Sequence, residues 1–361
     1  MRLGIPKESK ILEGRVVLVP AAVRQLVDAG CTVLVEQDAG LKSGYSDSDY
    51  WHAGARISER EDIYSAGTDI ILKVKEPYLD EISLLKPNHV LFSYLHLAAE
   101  PELTKHLQEI GLTAIAFETV QDNLGRLPLL APMSDVAGRV AVQQGTTLLH
   151  HINGGKGLLL GGLPTADRGH VVILGAGVAG MNAARLAAGM GARVTVFDIN
   201  RDRLEAARDI GSNVNGLFSY PDAIAEAVKT ADLLIGATLI VGEKAKHLVT
   251  TEMVKSMQPG SVIVDISVDQ GGCVETTRPT THAEPTYVEH GVVHYAVTNM
   301  PGAVPRSSTQ AISAAVIPYV FDLFKEIPVM KLYSRQTFHG GINVQDGRLI
   351  HQALINQYAK S

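Results

Sequence analysis

Three glycines at the spacing G-x-G-x-x-G are the residues that most clearly predict a chemistry. Gly175, Gly177 and Gly180 follow the fully apolar run Val171–Leu174, which is typical of a buried parallel strand. The first glycine permits a tight turn, the second lets a pyrophosphate approach the backbone, and the third lets the next helix pack closely on the strand. Val178 precedes that alanine-rich helix, whose N-terminus offers free N–H groups to phosphates. The segment therefore predicts a dinucleotide-binding loop.

Asp198 indicates which dinucleotide this loop binds. It ends the next predicted strand, Arg193–Phe197, roughly 20 positions beyond the glycines, where an acidic side chain binds the adenosine ribose hydroxyls. Its negative charge repels a 2′-phosphate, so the sequence favours NAD over NADP. Glycine turns also occur for packing reasons alone. The order of strand, glycines, helix, strand and acid favours the cofactor interpretation.

Three polar side chains of the first 130 residues stand at or just past the ends of predicted strands. Lys75 closes a strand that begins at Ile70, His96 follows one that begins at Val90, and Glu118 follows Thr113–Phe117. Ligands gather at the carboxyl ends of parallel strands. An imidazole normally titrates close to neutrality, which suits proton transfer to and from a carbonyl oxygen. The alternative for each is a solvated or structural side chain.

Alternating strands and helices position these residues and predict an α/β fold. We expect two domains, each a mainly parallel sheet flanked by helices, and the second a Rossmann fold. Residues 1–130 and 307–361 form the substrate domain, and residues 131–306 form the NAD-binding domain. Long helices at Pro132–Leu149 and Thr309–Phe324 connect them, and Val292–Val297 is the last predicted strand. The pattern beyond Ile327 predicts no element.

Composition excludes several other classes of protein. The 361 residues carry a net charge of −6, without a basic tract that would indicate a nucleic-acid partner. The two cysteines, Cys31 and Cys273, are far apart and predict buried thiols in a reducing compartment. We expect no metal site, since Asp322 and Glu326 fit a solvated helix face better. No signal peptide or membrane span is apparent, which predicts a cytoplasmic protein.

Several segments together resemble the L-alanine dehydrogenases, in the superfamily shared with the NAD-binding subunit of proton-translocating transhydrogenase. They run in the family's order from Met1 to about Tyr319: Gly4-Ile-Pro-Lys-Glu8, Glu13-Gly-Arg15, Leu72-Lys-Val-Lys-Glu-Pro77, Tyr94-Leu-His-Leu-Ala98, Glu118-Thr, Leu127 to Ser134, Ala137-Gly-Arg139, Asp265 to Gly272 and Asn299-Met-Pro-Gly302. The resemblance implies reversible oxidative deamination of L-alanine to pyruvate and ammonium with NAD. It also implies a homohexamer with the active site in an interdomain cleft.

The resemblance also implies roles for individual residues. Arg15 and Lys75 bind the substrate carboxylate, because a guanidinium binds it bidentately and an ammonium adds a point charge. His96 acts as general acid and base, and Asp269 assists imine formation and hydrolysis. Besides Gly177, Val178, Gly180 and Asp198, the expected cofactor contacts are Ser134, Arg203, Ser219, Thr238, Leu239, Ile266, Ser267, Val268, Asp269, Val297, Thr298, Asn299 and Met300. Met133 and Met300 either flank the nicotinamide ring or fill the core.

Two alternatives to an amino-acid dehydrogenase stay open: one is a coupling subunit, and the other is a different dehydrogenase. A transhydrogenase subunit tends to lack the second Lys-Glu-Pro and lacks the Tyr94–Ala98 segment. An opine-forming dehydrogenase needs a wider pocket than Tyr94 and Met133 suggest. A third alternative, an NAD-sensing protein on the same fold, would not require Arg15, Lys75, His96 and Asp269 together.

Overall fold

The structure, a computed structural model, describes residues 1–238, 247–326, 338 and 340–359; for Leu79, Asp269, Gln270, Lys325 and Glu326 it describes the backbone alone. The chain divides into two compact units. Unit 1 comprises Met1–Met133 and Val304–Ser361, and unit 2 comprises Ser134–Ala303. Each unit is built on its own sheet.

The strands are short and mostly apolar. Their bounds are β1 Arg2–Ile5, β2 Thr32–Glu36, β3 Arg56–Ser58, β4 Ile70–Leu72, β5 Val90–Ser93, β6 Thr113–Ala116, β7 His170–Leu174, β8 Arg193–Asp198, β9 Val214–Phe218, β10 Leu233–Gly236, β11 Val262–Asp265, β12 Thr286–Glu289, β13 Val292–Tyr295, β14 Ile342–Gln345 and β15 Arg348–Leu349.

The helices alternate with these strands. Their bounds are α1 Pro20–Asp28, α2 Asp47–His52, α3 Arg60–Ile63, α4 Leu79–Ile82, α5 Pro101–Ile110, α6 Ala131–Leu148, α7 Val178–Gly189, α8 Arg201–Arg208, α9 Pro221–Lys229, α10 Thr251–Lys255, α11 Pro305–Glu326 and α12 Gln352–Tyr358. Among the described residues, none of these helices has the length and apolar character of a membrane span.

The sheet of unit 1 has the order β15-β14-β6-β5-β4-β1-β2-β3. Strands β1 to β6 pair in parallel, and β14 adds antiparallel to β6. The central strand β4, Ile-Ile-Leu, is fully buried, which explains why it lacks the polar alternation of a half-exposed strand. Its Ile71 belongs to a cluster with Leu107 of α5 and Leu354 of α12.

The sheet of unit 2 has the order β12-β13-β11-β10-β7-β8-β9, and all its pairs are parallel except β12 with β13. Strand order reverses between β7 and β10, which places a topological switch point beside the glycine loop. The predicted α/β class, with two mainly parallel sheets flanked by helices, is therefore confirmed.

The prediction that Val292–Val297 is the last strand was wrong. β13 ends at Tyr295, and β14 and β15 follow much later in the chain. β14 reads Ile-Asn-Val-Gln, an alternation typical of a half-exposed strand, yet all four residues are buried against β6 and β15. Tertiary pairing forms this strand, and no local apolar run marks it.

Candidate active site

The candidate substrate residues of unit 1 follow neighbouring parallel strands. Arg15 lies in the connection from β1 to α1, Lys75 follows β4, His96 follows β5 and Glu118 follows β6. These four strands are adjacent in the order β6-β5-β4-β1. Their carboxyl ends meet at one edge of the sheet, which is where ligands bind in parallel α/β folds.

Arg15 is held by a carboxylate two residues earlier. Its Nε lies 2.7 Å from Glu13 Oε1 and its Nη2 lies 2.5 Å from Glu13 Oε2, a bidentate pair in which both side chains are almost fully buried. Nη1 lies 3.1 Å from the Met133 sulfur. Burial by itself lowers the pKa of Arg15, but the hydrogen bonds and charge of Glu13 outweigh it and raise that pKa. The guanidinium is thus a fixed, permanent cation.

Lys75 is half-buried, and a second carboxylate holds its backbone. Glu8 Oε1 accepts the Val74 N–H at 2.7 Å, and Oε2 accepts the Lys75 N–H at 3.3 Å. Burial raises the pKa of Glu8 to about 7, against the opposing attraction of Lys73, whose Nζ is 3.7 Å from Oε2. Glu8 therefore fixes the turn from which Lys75 projects.

His96 has a left-handed backbone, with φ of +49°, which a non-glycine residue rarely adopts. Its N–H donates to Glu118 Oε1 at 2.7 Å, and the Leu95 N–H donates to the same carboxylate at 3.3 Å. The imidazole is 45% exposed and stacks on Tyr94 at 6.1 Å between ring centroids. Glu118 thus holds the backbone, and the ring of His96 faces solvent.

The glycine loop of unit 2 has the geometry of a phosphate-binding turn. Gly175 has φ of +100°, and a Cβ on Gly180 would lie 1.8 Å from the Gly175 carbonyl oxygen, so both positions require glycine. A Cβ on Gly177 would meet no protein atom within 4 Å. Gly177 is also the N-cap of α7, a helix long enough to present a full N-terminal turn. This loop leaves room for a pyrophosphate.

Asp198 ends β8 beside that loop and is buried. Oδ2 accepts the Ala176 N–H at 2.7 Å, and Oδ1 accepts the Asn200 N–H at 2.8 Å. Each carboxylate oxygen can accept a further hydrogen bond from a ribose hydroxyl. Arg203 Nη1 lies 3.8 Å from Oδ2 and is 56% exposed. The backbone of the glycine loop therefore fixes the orientation of the Asp198 carboxylate.

The other expected cofactor residues lie mostly at the carboxyl ends of the unit 2 strands. Ser134 is half-buried in the first turn of α6, and Ser219, Thr238 and Thr298 follow β9, β10 and β13. The remaining members are Ile266, Ser267, Val268 and Asp269 in the 3₁₀ turn after β11, and Val297, Asn299 and Met300 after β13. Leu239 lies outside the described residues, and so does the side chain of Asp269.

Asp265 organises the 3₁₀ turn that carries Asp269, a role the sequence did not predict. It is fully buried; Oδ1 accepts the Ser267 N–H at 2.9 Å, and Oδ2 accepts the Cys273 N–H at 2.9 Å. Burial raises the pKa of Asp265 despite these donors. Its sequence signals were its position at the end of an apolar strand and its place in the Asp265 to Gly272 segment of the family resemblance. Glu8 and Glu13 were missed in the same way, although both stand in the segments that carry the family resemblance.

No cluster of three His, Cys, Asp or Glu side chains that could hold a metal ion occurs within the described ranges. Both cysteines are buried, and neither forms a disulfide. The residues brought together are instead a fixed guanidinium, a lysine and an imidazole in unit 1, and a phosphate-binding turn with an acidic partner in unit 2. These features suit a small carboxylate substrate and a dinucleotide.

Comparison with known families agrees with this arrangement. Residues 4–137 match the family described as alanine dehydrogenase/PNT, N-terminal domain, and residues 141–352 match its C-terminal domain. The chain belongs to the alanine dehydrogenase/PNT family.

Relatives with known names lie in the same family. The chain is 51% identical to alanine dehydrogenase of Bacillus subtilis (strain 168) over 358 residues, which covers 98% of this chain and 94% of the relative. It is 47% identical to alanine dehydrogenase of Methanococcus maripaludis over 357 residues, covering 98% and 95%. The predicted resemblance is confirmed.

Solved structures show the same architecture. A structure of L-alanine dehydrogenase superposes with a TM-score of 0.95 at 48% identity, covering 100% of this chain and 99% of the other. A transhydrogenase from Sinorhizobium meliloti superposes with a TM-score of 0.84 at 27% identity, covering 98% and 100%. Both branches of the family therefore share this fold.

Proposed function

We propose that this protein catalyses the NAD-dependent, reversible oxidative deamination of L-alanine to pyruvate and ammonium. The observation that carries the proposal is the order of side chains along one sheet edge: buried Arg15 locked by Glu13, then Lys75, then His96. Two cations and an imidazole at this edge match a substrate with one carboxylate and one reacting carbonyl or amine. The named relatives support the same reaction.

Arg15 and Lys75 bind the substrate carboxylate. Arg15 contributes a guanidinium whose plane Glu13 fixes, and Lys75 contributes a point charge on a backbone that Glu8 holds. With the carboxylate held by two cations, the substrate Cα is presented in one orientation. Positioning of this kind removes a large part of the entropic barrier.

His96 transfers the proton at the reacting carbon. In pyruvate amination it donates to the carbonyl oxygen, and in alanine oxidation it accepts a proton from the attacking water. Asp269, in the turn after β11, orients the amine or the water during imine formation and hydrolysis. When L-alanine is oxidised, its ammonium group loses a proton and its Cα gives up a hydride, which leaves a protonated imine. Water then adds to the imine carbon and loses a proton to His96. The amine takes up a proton, and its C–N bond breaks as it leaves as ammonium.

Unit 2 binds NAD. The Gly177 backbone and the α7 N-terminus hold the pyrophosphate, and Asp198 accepts hydrogen bonds from the ribose hydroxyls. Ser134, Arg203, Ser219, Thr238 and the turns after β11 and β13 complete the site. NAD, when bound, accepts the hydride that leaves the Cα of L-alanine.

The proposal includes a homohexamer, which the family resemblance implies. It also includes a cytoplasmic location, since two buried thiols without a disulfide suit a reducing compartment. Sedimentation equilibrium of the purified protein measures the oligomer directly. A mass of six chains supports this part of the proposal, and any smaller closed oligomer contradicts it.

NADH oxidation with purified protein tests the reaction class. We expect turnover only when pyruvate and ammonium are both present, and NAD reduction with L-alanine in the reverse direction. Ammonium-independent oxidation of NADH would contradict an amino-acid dehydrogenase. Hydride exchange between NADH and an NADP analogue without substrate would favour the transhydrogenase branch, and tight NADH binding without turnover would favour a sensing protein.

A further inference from the structure

The segment that follows β1 contacts the segment that follows β4 at two places, one on each side of Lys75. On the N-terminal side, Glu8 accepts the Val74 and Lys75 N–H groups at 2.7 and 3.3 Å. On the C-terminal side, the Lys10 ammonium pairs with the Glu76 carboxylate and lies 5.8 Å from the centre of the Tyr78 ring. Lys75 is therefore bracketed by two contacts from one short segment.

Glu8 is itself fixed by a buried network. Lys73 is 1% exposed and pairs with both Glu8 and Glu81. Glu81 Oε1 also accepts from the Tyr64 hydroxyl at 3.0 Å, and Oε2 accepts from Ser9 Oγ at 2.8 Å. Because Lys73 is fixed in this network, the Glu8 carboxylate that pairs with it is also held in place. The backbone N–H groups that Glu8 binds are held with it.

We propose that Glu8 and Lys10 are positioning residues for substrate binding: together they hold the backbone on either side of Lys75 so that its ammonium meets the substrate carboxylate. The inference rests on the proposed function, in which Lys75 binds that carboxylate. It assigns a specific role to residues 6–10, which follow β1 and contact the turn that carries Lys75.

A purely structural role would not need this arrangement. Lys73 already has Glu81 as an ion-pair partner, so the charge of Lys73 is balanced without Glu8. Burial raises the pKa of Glu8 to about 7, which means that its charged form is costly in this place. A costly carboxylate whose hydrogen bonds end on the backbone of Lys75 indicates a function at that residue.

The test uses the full-length enzyme and two variants, Glu8→Gln and Lys10→Met. Asp69→Asn is the matched control: Asp69 also accepts a backbone N–H, that of Arg2 at 2.6 Å, but it precedes β4 and so lies at the other end of that strand from Lys75. The readouts are KM and kcat for pyruvate at saturating ammonium, the affinity for NADH, and turnover of pyruvamide, which lacks the carboxylate.

We expect each variant to raise the KM for pyruvate by about tenfold, the scale of one charge-assisted hydrogen bond, with kcat within about twofold of wild type. NADH affinity and pyruvamide turnover stay at wild-type values, because neither depends on Lys75. The control keeps the wild-type KM. A general loss of structure would instead lower kcat, NADH affinity and pyruvamide turnover together.

Lys75→Ala separates this inference from the proposed function. If Lys75→Ala raises the KM for pyruvate but Glu8→Gln and Lys10→Met do not, the positioning role is refuted and the proposed function stands. If Lys75→Ala leaves that KM unchanged, the assignment of Lys75 itself fails. Should Glu8→Gln not fold, Lys10→Met decides alone, since the Lys10 side chain is 32% exposed and its loss spares the core.

Discussion

Gly177 and Gly180 belong to one motif, yet replacing each by alanine should damage the protein in different ways. A methyl group at Gly180 would lie 1.8 Å from the Gly175 carbonyl oxygen, and Cβ atoms essentially never approach closer than 3.0 Å. Helix α7 would have to move from the strand by roughly 1 Å, an overpacking that costs about 3 kcal/mol or more. A methyl group at Gly177 would meet no protein atom within 4 Å.

The expected stabilities follow from these distances. Gly180→Ala should lower the thermal midpoint by roughly 10 °C, at about 2–4 °C per kcal/mol for a domain of this size. Gly177→Ala should change the free energy of unfolding by less than about 1 kcal/mol, because its φ of −72° suits alanine and only a glycine N-cap is lost. Calorimetry measures both quantities.

Gly177→Ala should strongly weaken NADH binding although it leaves the stability almost unchanged. In Gly177→Ala the methyl group fills the space reserved for the pyrophosphate, so we expect the NADH dissociation constant to rise about 10- to 100-fold in a fully folded protein. Gly189→Ala is the control within the same helix, since its Cβ also meets nothing within 4 Å and its position is far along α7. Unchanged NADH affinity in Gly177→Ala would refute the dinucleotide role of this loop, and an unchanged midpoint in Gly180→Ala would refute the packing argument.

Three further substitutions test other parts of the site. Asp198→Asn removes the charge that repels a 2′-phosphate. Fluorescence titration should therefore show weaker NADH binding, tighter NADPH binding, and a ratio of NADH affinity to NADPH affinity that is at least about tenfold smaller. An unchanged ratio contradicts the assignment. Arg15→Lys loses the fork to Glu13 and should raise the KM for pyruvate by about tenfold or more, while a wild-type KM would show that bidentate geometry is not needed. Glu8 has a folded pKa of about 7 against 4.5 unfolded, so wild type loses about 3 kcal/mol of stability from this group as pH rises from 4.5 through 7. Glu8→Gln does not titrate, and in urea unfolding its stability relative to wild type should grow by that amount over this range; a pH-independent difference would contradict the burial argument.

Local sequence signals predicted much of the fold and the strand ends that carry the candidate site residues. The apolar run before Gly175 predicted a buried strand, and all five residues of β7 are buried. Lys75 and His96 were placed at strand ends by their order after apolar runs alone. These features depend on residues close together in the chain, which is why the sequence reveals them.

The features that escaped prediction depend on long-range contacts. Glu8 binds the backbone of Val74, 66 positions away, and no local pattern distinguishes it from a solvated glutamate. β14 pairs with β6, which lies more than two hundred residues earlier in the chain. The left-handed backbone of His96 is stabilised by Glu118, 22 positions on. In each case the two partners come together only in the folded sheet.

The most direct test compares NADH oxidation by wild type and by His96→Ala with pyruvate and ammonium. The His96 ring is 45% exposed and its Nδ1 lies 4.0 Å from Glu118 Oε1, while its backbone N–H donates to the same oxygen at 2.7 Å. Because the alanine variant keeps the backbone hydrogen bond, it should fold and bind NADH normally. We predict ammonium-dependent turnover in wild type and a loss of at least about 100-fold in the variant, the contribution expected of a general acid. Turnover at the wild-type rate in His96→Ala would contradict the central role of this imidazole.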